Sequence, residues 1–454
     1  MDDLTQQTAS TLVDLIKCRE VSPVEIARAY LNQIERVNRG LNAIVTISSE
    51  VLKDAELAEA RVLRGDDVGM LHGLPVTVKD TIETANLRTT SGSAIRRHYI
   101  PRRDAPAVAR LKQAGAIVLG KTNSAEMAMD YTADNPVFGR TNNPYDLTRT
   151  PGGSSGGEAA AIATRMSPGG IGSDLAGSIR IPAHFCGVVG LKPGTGRIPG
   201  EGQFPPSFGP YSLGGVIGPM ARTVGDVALL FRALCNEQVL EMDLKGCRVA
   251  WYTGDGVAPV TEETQKAVVA AARVLAESGL KVQENPPPGI ERGHELWLKL
   301  FSRASVVQLR SVYSGREDEG GSFVRWRLRT ADDSAPSSLD EYIQNWIERD
   351  AIRMELLQWL EEVPLILAPV GATNAFEHDA LKVEVNGSLV SVFRAFSYSQ
   401  AFNVFDLPAI SVPVARSATG LPIGVQIAGR PFAEELVLKA AAILEEAGPL
   451  TIAN

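Results

Sequence analysis

A helix near the N-terminus is the clearest local prediction from the order of apolar and polar residues. Ser22, Pro23 and Glu25 supply the N-cap, the first-turn proline and the closing glutamate of a capping box. Beyond them, apolar residues recur at the three- and four-residue spacing of one helix face. They are Ile26, Ala27, Tyr30, Leu31 and Ile34. We therefore expect an amphipathic helix with this stripe buried.

A short apolar run at 74–78 predicts a buried strand that ends at Lys79 and Asp80. Helical and strand patterns then alternate along the chain. Helices are predicted at 104–114, 223–234, 261–278, 339–360 and 433–446, and strands at 116–119, 248–252, 280–282, 365–369, 409–414 and 424–428. Such alternation is typical of an α/β fold. We expect a single domain over 1–454, with a mixed, mostly parallel twisted sheet covered by helices on both faces. Within it we expect a catalytic core segment at 70–235 and a peripheral helical excursion at 285–340.

Composition and charge exclude several classes of protein. Of the 454 residues, 44% are hydrophobic and 22% are charged, which is typical of soluble globular proteins. The 45 basic and 53 acidic residues give a net charge of −8, which offers no field to attract nucleic acid. The first ten residues lack the basic and apolar regions of a signal peptide, and no apolar run is long enough to span a membrane. We therefore expect a cytoplasmic protein that binds neither nucleic acid nor a membrane.

Metal and disulfide chemistry are not indicated by the cysteines and histidines. The four cysteines lie far apart and form no C-x-x-C pair, and the five histidines show no H-E-x-x-H spacing. We expect no metal site, no cofactor and no catalytic histidine. The residues concerned are Cys18, Cys186, Cys235, Cys247, His72, His98, His184, His294 and His378.

A glycine-rich segment is the strongest sign of chemistry. Twelve of the 42 glycines lie in the 47 residues from 150 to 196, although glycine costs backbone entropy. A phosphate-binding loop would need a lysine after G-x-x-x-x-G, but Glu158 follows Gly157. A nucleophile elbow centred on Ser155 matches G-x-S-x-G, but the upstream residues 142–146 are turn formers and not a strand. Both explanations are disfavoured.

A serine nucleophile activated by a lysine is the third explanation. A lysine amine with its usual pKa of about 10.4 is protonated at neutral pH. It acts as a base only where burial and nearby hydrogen-bond donors lower that pKa by about 3 units. Lys79, at the end of an apolar strand, is in a suitable place.

Three motifs make the chain resemble the amidase signature family of serine hydrolases. They are V-K-D at 78–80, G-G-S-S-G-G at 152–157 and G-x-D-x-x-G-S-I-R-x-P at 172–182. The spacings also match, with Lys79 and Ser154 75 residues apart and Ser154 and Ser178 24 residues apart. Further agreement at 186–193, 218–222, 407–413 and 420–424 extends the resemblance over nearly the whole chain.

The resemblance implies a role for each residue of a catalytic triad. Ser178 is the nucleophile, Ser154 is a bridging serine held by a cis peptide, and Lys79 is the base. Backbone N–H groups of four successive residues form the oxyanion hole. These are Leu175, Ala176, Gly177 and Ser178.

One departure from the family lies in this hole, because Ala176 stands where the family usually has a glycine. If the position needs a positive φ, the alanine costs about 1 kcal/mol. Asp174 and Arg180 are interpreted as scaffold residues that hold the loop by charge-assisted hydrogen bonds.

Substrate-binding residues are less well determined by the sequence. The candidates are Met129, Ser155, Arg197, Phe204 and Phe208. The loop at 197–211 is rich in proline, glycine and aromatic residues. One hypothesis is a mobile lid that places Phe204, Phe208 or Tyr211 over an apolar or aryl group, and the other is a well-packed surface loop.

The reaction implied is hydrolysis of the C–N bond of a carboxylic amide through an acyl-enzyme, with aryl amides and carbamates (urethanes) as further candidates. The alternative is the sister branch that releases ammonia from glutamine for transamidation of aminoacyl-tRNA. Here residues 339–344 replace that branch's tyrosine-rich segment, and Ala433 replaces the acidic residue of its late F-D-E motif.

A non-enzymatic assembly protein is the third hypothesis. The expected partner is a small-molecule amide or carbamate, with a homodimer left open.

Overall fold

The computed structural model describes residues 3–235, 243–332 and 338–450. Its strands are β1 Ile44–Ile47, β2 Pro75–Lys79, β3 Ile117–Thr122, β4 Gly169–Asp174, β5 Val189–Lys192, β6 Val216–Ala221, β7 Arg248–Trp251, β8 Lys281–Glu284, β9 Leu365–Pro369, β10 Lys382–Val385, β11 Ser388–Ser391, β12 Ala409–Arg416 and β13 Pro422–Gly429. Eleven of these strands form one sheet in the order β1-β3-β2-β4-β6-β5-β12-β13-β9-β7-β8. Strands β10 and β11 form a separate hairpin.

Helices connect most of these strands. They are α1 Ala9–Lys17, α2 Pro23–Leu41, α3 Val51–Arg64, α4 Pro106–Gln113, α5 Gly156–Ala163, α6 Arg180–Cys186, α7 Val224–Cys235, α8 Glu262–Glu277, α9 Gly293–Trp297, α10 Arg303–Val312, α11 Ser322–Asp332, α12 Leu339–Glu362, α13 Val392–Ala395, α14 Ser397–Val404 and α15 Glu434–Glu446. A π-helical turn at Leu298–Ser302 joins α9 to α10.

The predicted α/β class with a mixed sheet is confirmed. Parallel pairing holds in two groups of three strands, β3-β2-β4 and β9-β7-β8. Between these groups the neighbouring strands pair antiparallel. One physical reason is the short turn between β12 and β13, since a tight hairpin can join only antiparallel strands.

The sheet buries apolar residues on both faces. Along β9, Leu365 and Leu367 belong to one apolar cluster, whereas Ile366 and Ala368 belong to another. Successive side chains of a strand point to opposite faces, so the two clusters lie on opposite sides of the sheet. The first includes buried residues of α1–α4, α7, α8 and α15, and the second includes residues of α9, α12 and α14. Helices therefore cover both faces, as the sequence predicts.

The patterned elements are confirmed within a few residues. Helix α2 begins with the predicted capping box, in which Ser22 and Glu25 bond each other's backbone N–H groups. The predicted helix at 104–114 begins only at Pro106, because a proline fits best in the first turn. The predicted strand at 74–78 is β2, and it contains Lys79 as its last residue.

Three central strands, β4, β5 and β6, were not predicted from the sequence. β4 has the sequence GGIGSD, and glycine normally weakens a strand. Its small residues are required by close neighbours, since a Cβ on Gly172 would lie 2.7 Å from Ser155 Oγ. β6 lies beside β4 and was missed with it.

The predicted excursion at 285–340 is helical, and its residues 333–337 lie outside the described residues. It contains α9, α10 and α11. Its interior side is not solvated, because Trp297, Leu300, Phe301 and Tyr313 are buried. This segment thus packs onto the sheet as part of the second apolar cluster and of a smaller third cluster.

Candidate active site

The sheet places Lys79 in the interior of the protein. Lys79 ends β2, between β3 and β4, and its side chain is fully buried. Its Nζ donates hydrogen bonds to Ser154 Oγ at 2.6 Å and to Ser173 Oγ at 3.0 Å. Two hydroxyl groups therefore surround the amine, and neither carries a charge that would hold a proton on it.

Burial lowers the pKa of the Lys79 amine to about 7, although the negative charges of Asp174 and Glu158 act in the opposite direction. The Glu158 carboxyl accepts hydrogen bonds from Thr77 Oγ1 and, at 2.7 Å, from Thr122 Oγ1. Burial raises the pKa of Glu158 to about 7, despite those two bonds. A large fraction of Lys79 is consequently neutral near pH 7, which is the condition for a lysine base.

Ser154 lies in the turn before α5, where the Gly153–Ser154 peptide bond is cis. Its side chain is fully buried, and its hydroxyl receives the bond from Lys79. The next residue, Ser155, connects this turn to β4. Its Oγ accepts from Ser173 N and donates to Ser173 O, both at 3.3 Å, and its N–H donates to Ser178 O at 3.1 Å.

Ser178 lies in the loop between β4 and α6 and is 6% exposed. It lines the same cavity as Ser154 and Ser173. Among the described residues, the Ser178 hydroxyl forms no hydrogen bond, with Ser154 or with any other group. The structure thus brings the three predicted triad residues to one place, with the Lys79–Ser154 contact formed and Ser178 facing the cavity.

The loop before Ser178 carries amide groups without protein partners. In the described ranges, the N–H groups of Leu175, Ala176 and Ser178 donate to no protein atom. The N–H of Gly177 differs, since it donates to Asp174 Oδ1 at 2.8 Å. Three of the four predicted oxyanion-hole donors are therefore available to a ligand.

The departure at Ala176 carries no backbone strain. Positive φ occurs at Gly177, with a value of 104°, and not at Ala176. A Cβ on Gly177 would lie 2.7 Å from both Ile181 Cδ1 and Ser399 Cβ. The glycine requirement of this loop thus falls on position 177, and the expected cost of an alanine at 176 does not arise.

Asp174 and Arg180 form a fully buried ion pair below the loop. Arg180 Nη2 lies 3.0 Å from Asp174 Oδ1, and Nε donates to Asp174 Oδ2 at 3.1 Å. Nη1 donates to Gln426, and Nη2 also donates to Asn403 and to the Ser399 carbonyl. Burial opposes ionisation of Asp174, but the Arg180 guanidinium more than offsets it and holds the pKa of Asp174 well below its usual range. Asp174 also accepts from the N–H groups of Gly177 and Ile179, which fixes the loop.

A second cavity opens beside Ser178, and six of its lining residues are aromatic. Its aromatic residues are Tyr131, Tyr211, Trp297, Phe301, Phe323 and Phe393. Two of them hold the loop, because Trp297 Nε1 donates to Leu175 O at 3.0 Å and the Tyr131 hydroxyl donates to Ala176 O at 2.8 Å. These two bonds connect the cavity wall directly to the loop that carries the amide donors.

The predicted substrate-binding residues are distributed unevenly. Met129 lines both cavities, and Ser155 acts in the scaffold described above. Arg197, Phe204 and Phe208 line neither cavity. Arg197 pairs with Glu434 at 3.1 Å, the Phe204 ring packs under the Arg96 guanidinium at 3.9 Å, and Phe208 is 73% exposed.

Apart from Tyr211, which the lid hypothesis names, the aromatic wall was not predicted from the sequence. Trp297 and Phe301 belong to the segment interpreted as a peripheral excursion, and Phe393 lies about a hundred residues further along the chain. No motif links them. A buried aromatic pair at helical spacing, Trp297 and Phe301, is the one signal that the sequence offers.

Within the described ranges, no cluster of three His, Cys, Asp or Glu side chains has the geometry of a metal site. His184, for example, is buried and bonds only backbone groups, accepting from Gly424 N at Nδ1. No helix in the same ranges is both long enough and apolar enough to cross a bilayer.

Comparison with known proteins identifies the family. The family model described as Amidase matches residues 25–438, most of the chain. The protein belongs to the amidase signature family. A glutamyl-tRNA(Gln) amidotransferase subunit of Carboxydothermus hydrogenoformans is 33% identical, over 98% of each chain. Fatty-acid amide hydrolase 2 of Homo sapiens is 32% identical, over 96% of this chain and 88% of that protein.

A solved structure described as a bacterial aryl acylamidase of the amidase signature family superposes with a TM-score of 0.86. It is 26% identical and covers 98% of this chain and 96% of its own. This amidase signature protein is accordingly an amidohydrolase that acts on C–N bonds and on small amide substrates.

Proposed function

We propose that this amidase hydrolyses an amide with an apolar or aryl group, using Ser178 as nucleophile, Ser154 as bridging serine and Lys79 as base. The observation that carries the proposal is the buried Lys79 amine, bonded to Ser154 Oγ at 2.6 Å, with Ser154 and Ser178 on the wall of one cavity. A lysine with its pKa lowered to about 7 by burial is able to remove a proton at neutral pH.

The first half of the reaction acylates Ser178. Neutral Lys79 accepts the proton of Ser154, Ser154 accepts that of Ser178, and Ser178 Oγ attacks the carbonyl carbon. The absent Ser154–Ser178 bond is consistent with this relay, because catalytic hydrogen bonds often tighten only when the substrate is bound. The negative charge on the carbonyl oxygen is stabilised by the free N–H groups of Leu175, Ala176 and Ser178.

The second half releases the products. As the C–N bond breaks, the proton returns from Lys79 through Ser154 to the leaving nitrogen, and an amine departs. Water then attacks the acyl ester, giving its proton to the same relay, and the carboxylic acid leaves as the Ser178 hydroxyl is restored. At the end of the cycle Lys79 is neutral again, and the hydroxyl groups of Ser154 and Ser178 are restored.

The aromatic cavity indicates the class of substrate. Six aromatic residues line it beside Ser178, and such a surface favours an apolar or aryl group. The names of two relatives, a fatty-acid amide hydrolase and an aryl acylamidase, agree with an apolar substrate. Carbamates need the same attack and the same departing amine, so urethane cleavage belongs to this proposal as a secondary activity.

Glutamine hydrolysis for an amidotransferase complex is the second candidate. It is favoured by the 33% identity to the Carboxydothermus hydrogenoformans amidotransferase protein over nearly the whole chain. One observation disfavours glutamine hydrolysis. Glu434 lies in the segment that replaces the late F-D-E motif, and its carboxylate already accepts hydrogen bonds from Arg197 and from the Gly194 N–H. A cytoplasmic location and a homodimer remain predictions.

A covalent probe tests the proposal directly. A fluorophosphonate should label Ser178 in the wild type, and the label should be lost in Lys79→Ala. Turnover of a panel of anilides, primary amides, glutamine and small carbamates then ranks the two candidates. Labelling of a different residue would refute the triad, and glutamine turnover faster than that of any anilide would favour the amidotransferase function.

A further inference from the structure

An unpaired carboxylate lies on the wall of the aromatic cavity. Asp130 lines this cavity between Met129 and Tyr131, close to Ser178. Its two oxygens accept from Tyr131 N at 2.7 Å and from Thr132 Oγ1 at 3.0 Å. In the described part of the chain, no Lys, Arg or His side chain lies within ion-pair distance of Asp130.

The Asp130 carboxylate has unused hydrogen-bond acceptor sites. An ionised carboxylate offers about four lone-pair sites, and Asp130 uses two of them within its own turn. Burial raises the pKa of Asp130 to about 6, yet the group stays mostly ionised at neutral pH. A partly buried charge without a counter-ion is costly, so a scaffold role alone does not account for a carboxylate here.

The rings around Asp130 suit a cation. The Tyr131 and Phe393 ring centroids are 4.9 Å apart, and Trp297 and Phe323 each stack with Phe393 at about 6 Å. Aromatic faces attract ammonium groups, and a neighbouring carboxylate adds a charge-assisted hydrogen bond. The combination is one that recognises an amine attached to an apolar or aryl body.

The other charged group on this wall is Arg327. Its Nη2 donates to Ser302 O at 2.8 Å and also to Ser302 Oγ, and no acidic side chain in the described ranges pairs with it. Asp130 and Arg327 are not within ion-pair distance, and neither is among the groups that perturb the pKa of the other. The cavity therefore has two separate charges of opposite sign, and Arg327 repels an ammonium group toward Asp130.

We propose that Asp130 is a specificity-determining residue that binds the ammonium group of the substrate part occupying the aromatic cavity. The preferred substrates are thus amides that carry a primary amine next to an apolar or aryl group. This inference rests on the proposed amide hydrolysis and deepens it. Asp130 takes no part in bond breaking.

Matched substrates test the inference in the full-length protein. The first pair is phenylalanine 4-nitroanilide and 3-phenylpropanoic acid 4-nitroanilide, which differ only by the ammonium group on the acyl side. The second pair, the 2-aminoethyl and propyl amides of phenylacetic acid, places the ammonium group on the leaving amine. In at least one pair, wild-type kcat/KM should favour the cationic member, and Asp130→Asn should reduce that member's kcat/KM by about 10- to 100-fold.

Two controls separate specificity from structure. In Asp130→Asn the amide oxygen can still accept from the Tyr131 N–H and the amide nitrogen can donate to Thr132 Oγ1, so the turn should be retained and the neutral members should change less than about threefold. Asp134→Asn removes the same charge from an exposed position four residues away. The Asp134 charge raises the pKa of Asp130, so its loss keeps Asp130 ionised and should leave both pairs unchanged. Equal losses for cationic and neutral members in Asp130→Asn, or a wild-type preference for the neutral member in both pairs, would overturn the inference.

A binding measurement keeps the inference testable without turnover. Calorimetric titration should show that 2-phenylethylamine binds the wild type about tenfold or more tightly than 2-phenylethanol, and that Asp130→Asn abolishes the difference. Equal binding of the two compounds to the wild type would refute the cation site. Failure of the proposed function looks different, because Ser178 would then stay unlabelled while the amine still binds.

Discussion

The two sides of the site differ in how they are built. The proposed catalytic side consists of Lys79, Ser154 and Ser178 on β2 and on the two turns that flank α5 and β4, and it is held by buried hydrogen bonds. The cavity side consists of aromatic rings from α9, the π-helical turn, α11 and α13, together with Tyr131 and Tyr211. These residues come from several separate parts of the chain.

The difference shows which properties each side controls. The catalytic side has little freedom, because small residues and buried charges leave no room for other side chains. The cavity side is a packed apolar surface whose shape changes with one ring. We expect mutations on the first side to abolish the reaction, and mutations on the second to change which substrate reacts.

The largest effect is expected from Ser178→Ala. Activity should fall by roughly 10⁴-fold or more, because the nucleophile is removed. The free energy of unfolding should stay within about 0.5 kcal/mol, since the Ser178 hydroxyl has no hydrogen bond to lose. Anilide hydrolysis and chemical denaturation measure the two quantities.

Ser155→Ala is the matched control, because Ser155 would be the nucleophile of an elbow. Its hydroxyl only links α5 to β4, so the variant should keep fluorophosphonate labelling at Ser178. Loss of labelling in Ser155→Ala, with labelling retained in Ser178→Ala, would reverse the two assignments.

The next effect is expected from Lys79→Met, which should lose about 10³-fold in kcat/KM. In the wild type, kcat/KM should fall as the pH drops through about 7, because Lys79 becomes protonated and can no longer accept a proton. Between about pH 7 and 10.5 the unfolded chain binds this proton and the folded chain does not, so this group makes stability rise with pH. The part of the pH dependence of stability that is due to Lys79 should disappear in Lys79→Met.

Lys121→Met controls for the loss of a buried amine. Lys121 is fully buried, and burial lowers its pKa to about 7, but its Nζ bonds Ile82 O and Thr84 Oγ1, not the serines. The pH profile of kcat/KM of Lys121→Met should remain that of the wild type, even if the variant differs in its free energy of unfolding. A shifted profile in Lys121→Met and an unshifted one in Lys79→Met would contradict the role of Lys79.

A smaller effect is expected at the oxyanion loop. Gly177→Ala should destabilise the protein by about 1 to 3 kcal/mol and lower kcat by about 10- to 100-fold, because its φ of 104° and its contacts leave no room for a Cβ. Ala176→Gly should change kcat less than about threefold, as position 176 does not need a positive φ. Steady-state kinetics and thermal melting of the two variants measure the contrast, and equal effects would contradict it.

The smallest effect is expected from Trp297→Phe, which keeps a ring in the cavity but removes the bond to Leu175 O. We expect kcat for anilides to fall by about 3- to 10-fold, with KM for aryl substrates nearly unchanged. Trp326→Phe is the control, because Trp326 is half exposed and lines neither cavity. A large rise in KM in Trp297→Phe would show that the ring itself, and not its hydrogen bond, is the main contribution.

The sequence alone predicted much of the catalytic side. The resemblance to the amidase signature family implied the roles of Lys79, Ser154 and Ser178. The apolar run before Lys79 and the glycine density lie in short stretches of chain, where periodicity and motif are readable. The same holds for α2, α12 and the strands at 365–369 and 409–414, whose patterns or caps are local. These properties depend on neighbours within one or two turns, and such neighbours are encoded consecutively.

Tertiary structure alone decided the rest. β4 is a strand although it is rich in glycine, because it pairs with β2 on one side and β6 on the other. Its glycines are required because Ser155 and the flanking strands leave no space for larger side chains. The pKa of Lys79 depends on complete burial, and the cavity depends on Trp297, Phe323 and Phe393 meeting across long separations. Asp130 shows the same limit, since nothing in its local sequence places it among aromatic rings beside Ser178. Desolvation and packing act through space, so a linear pattern carries no record of them.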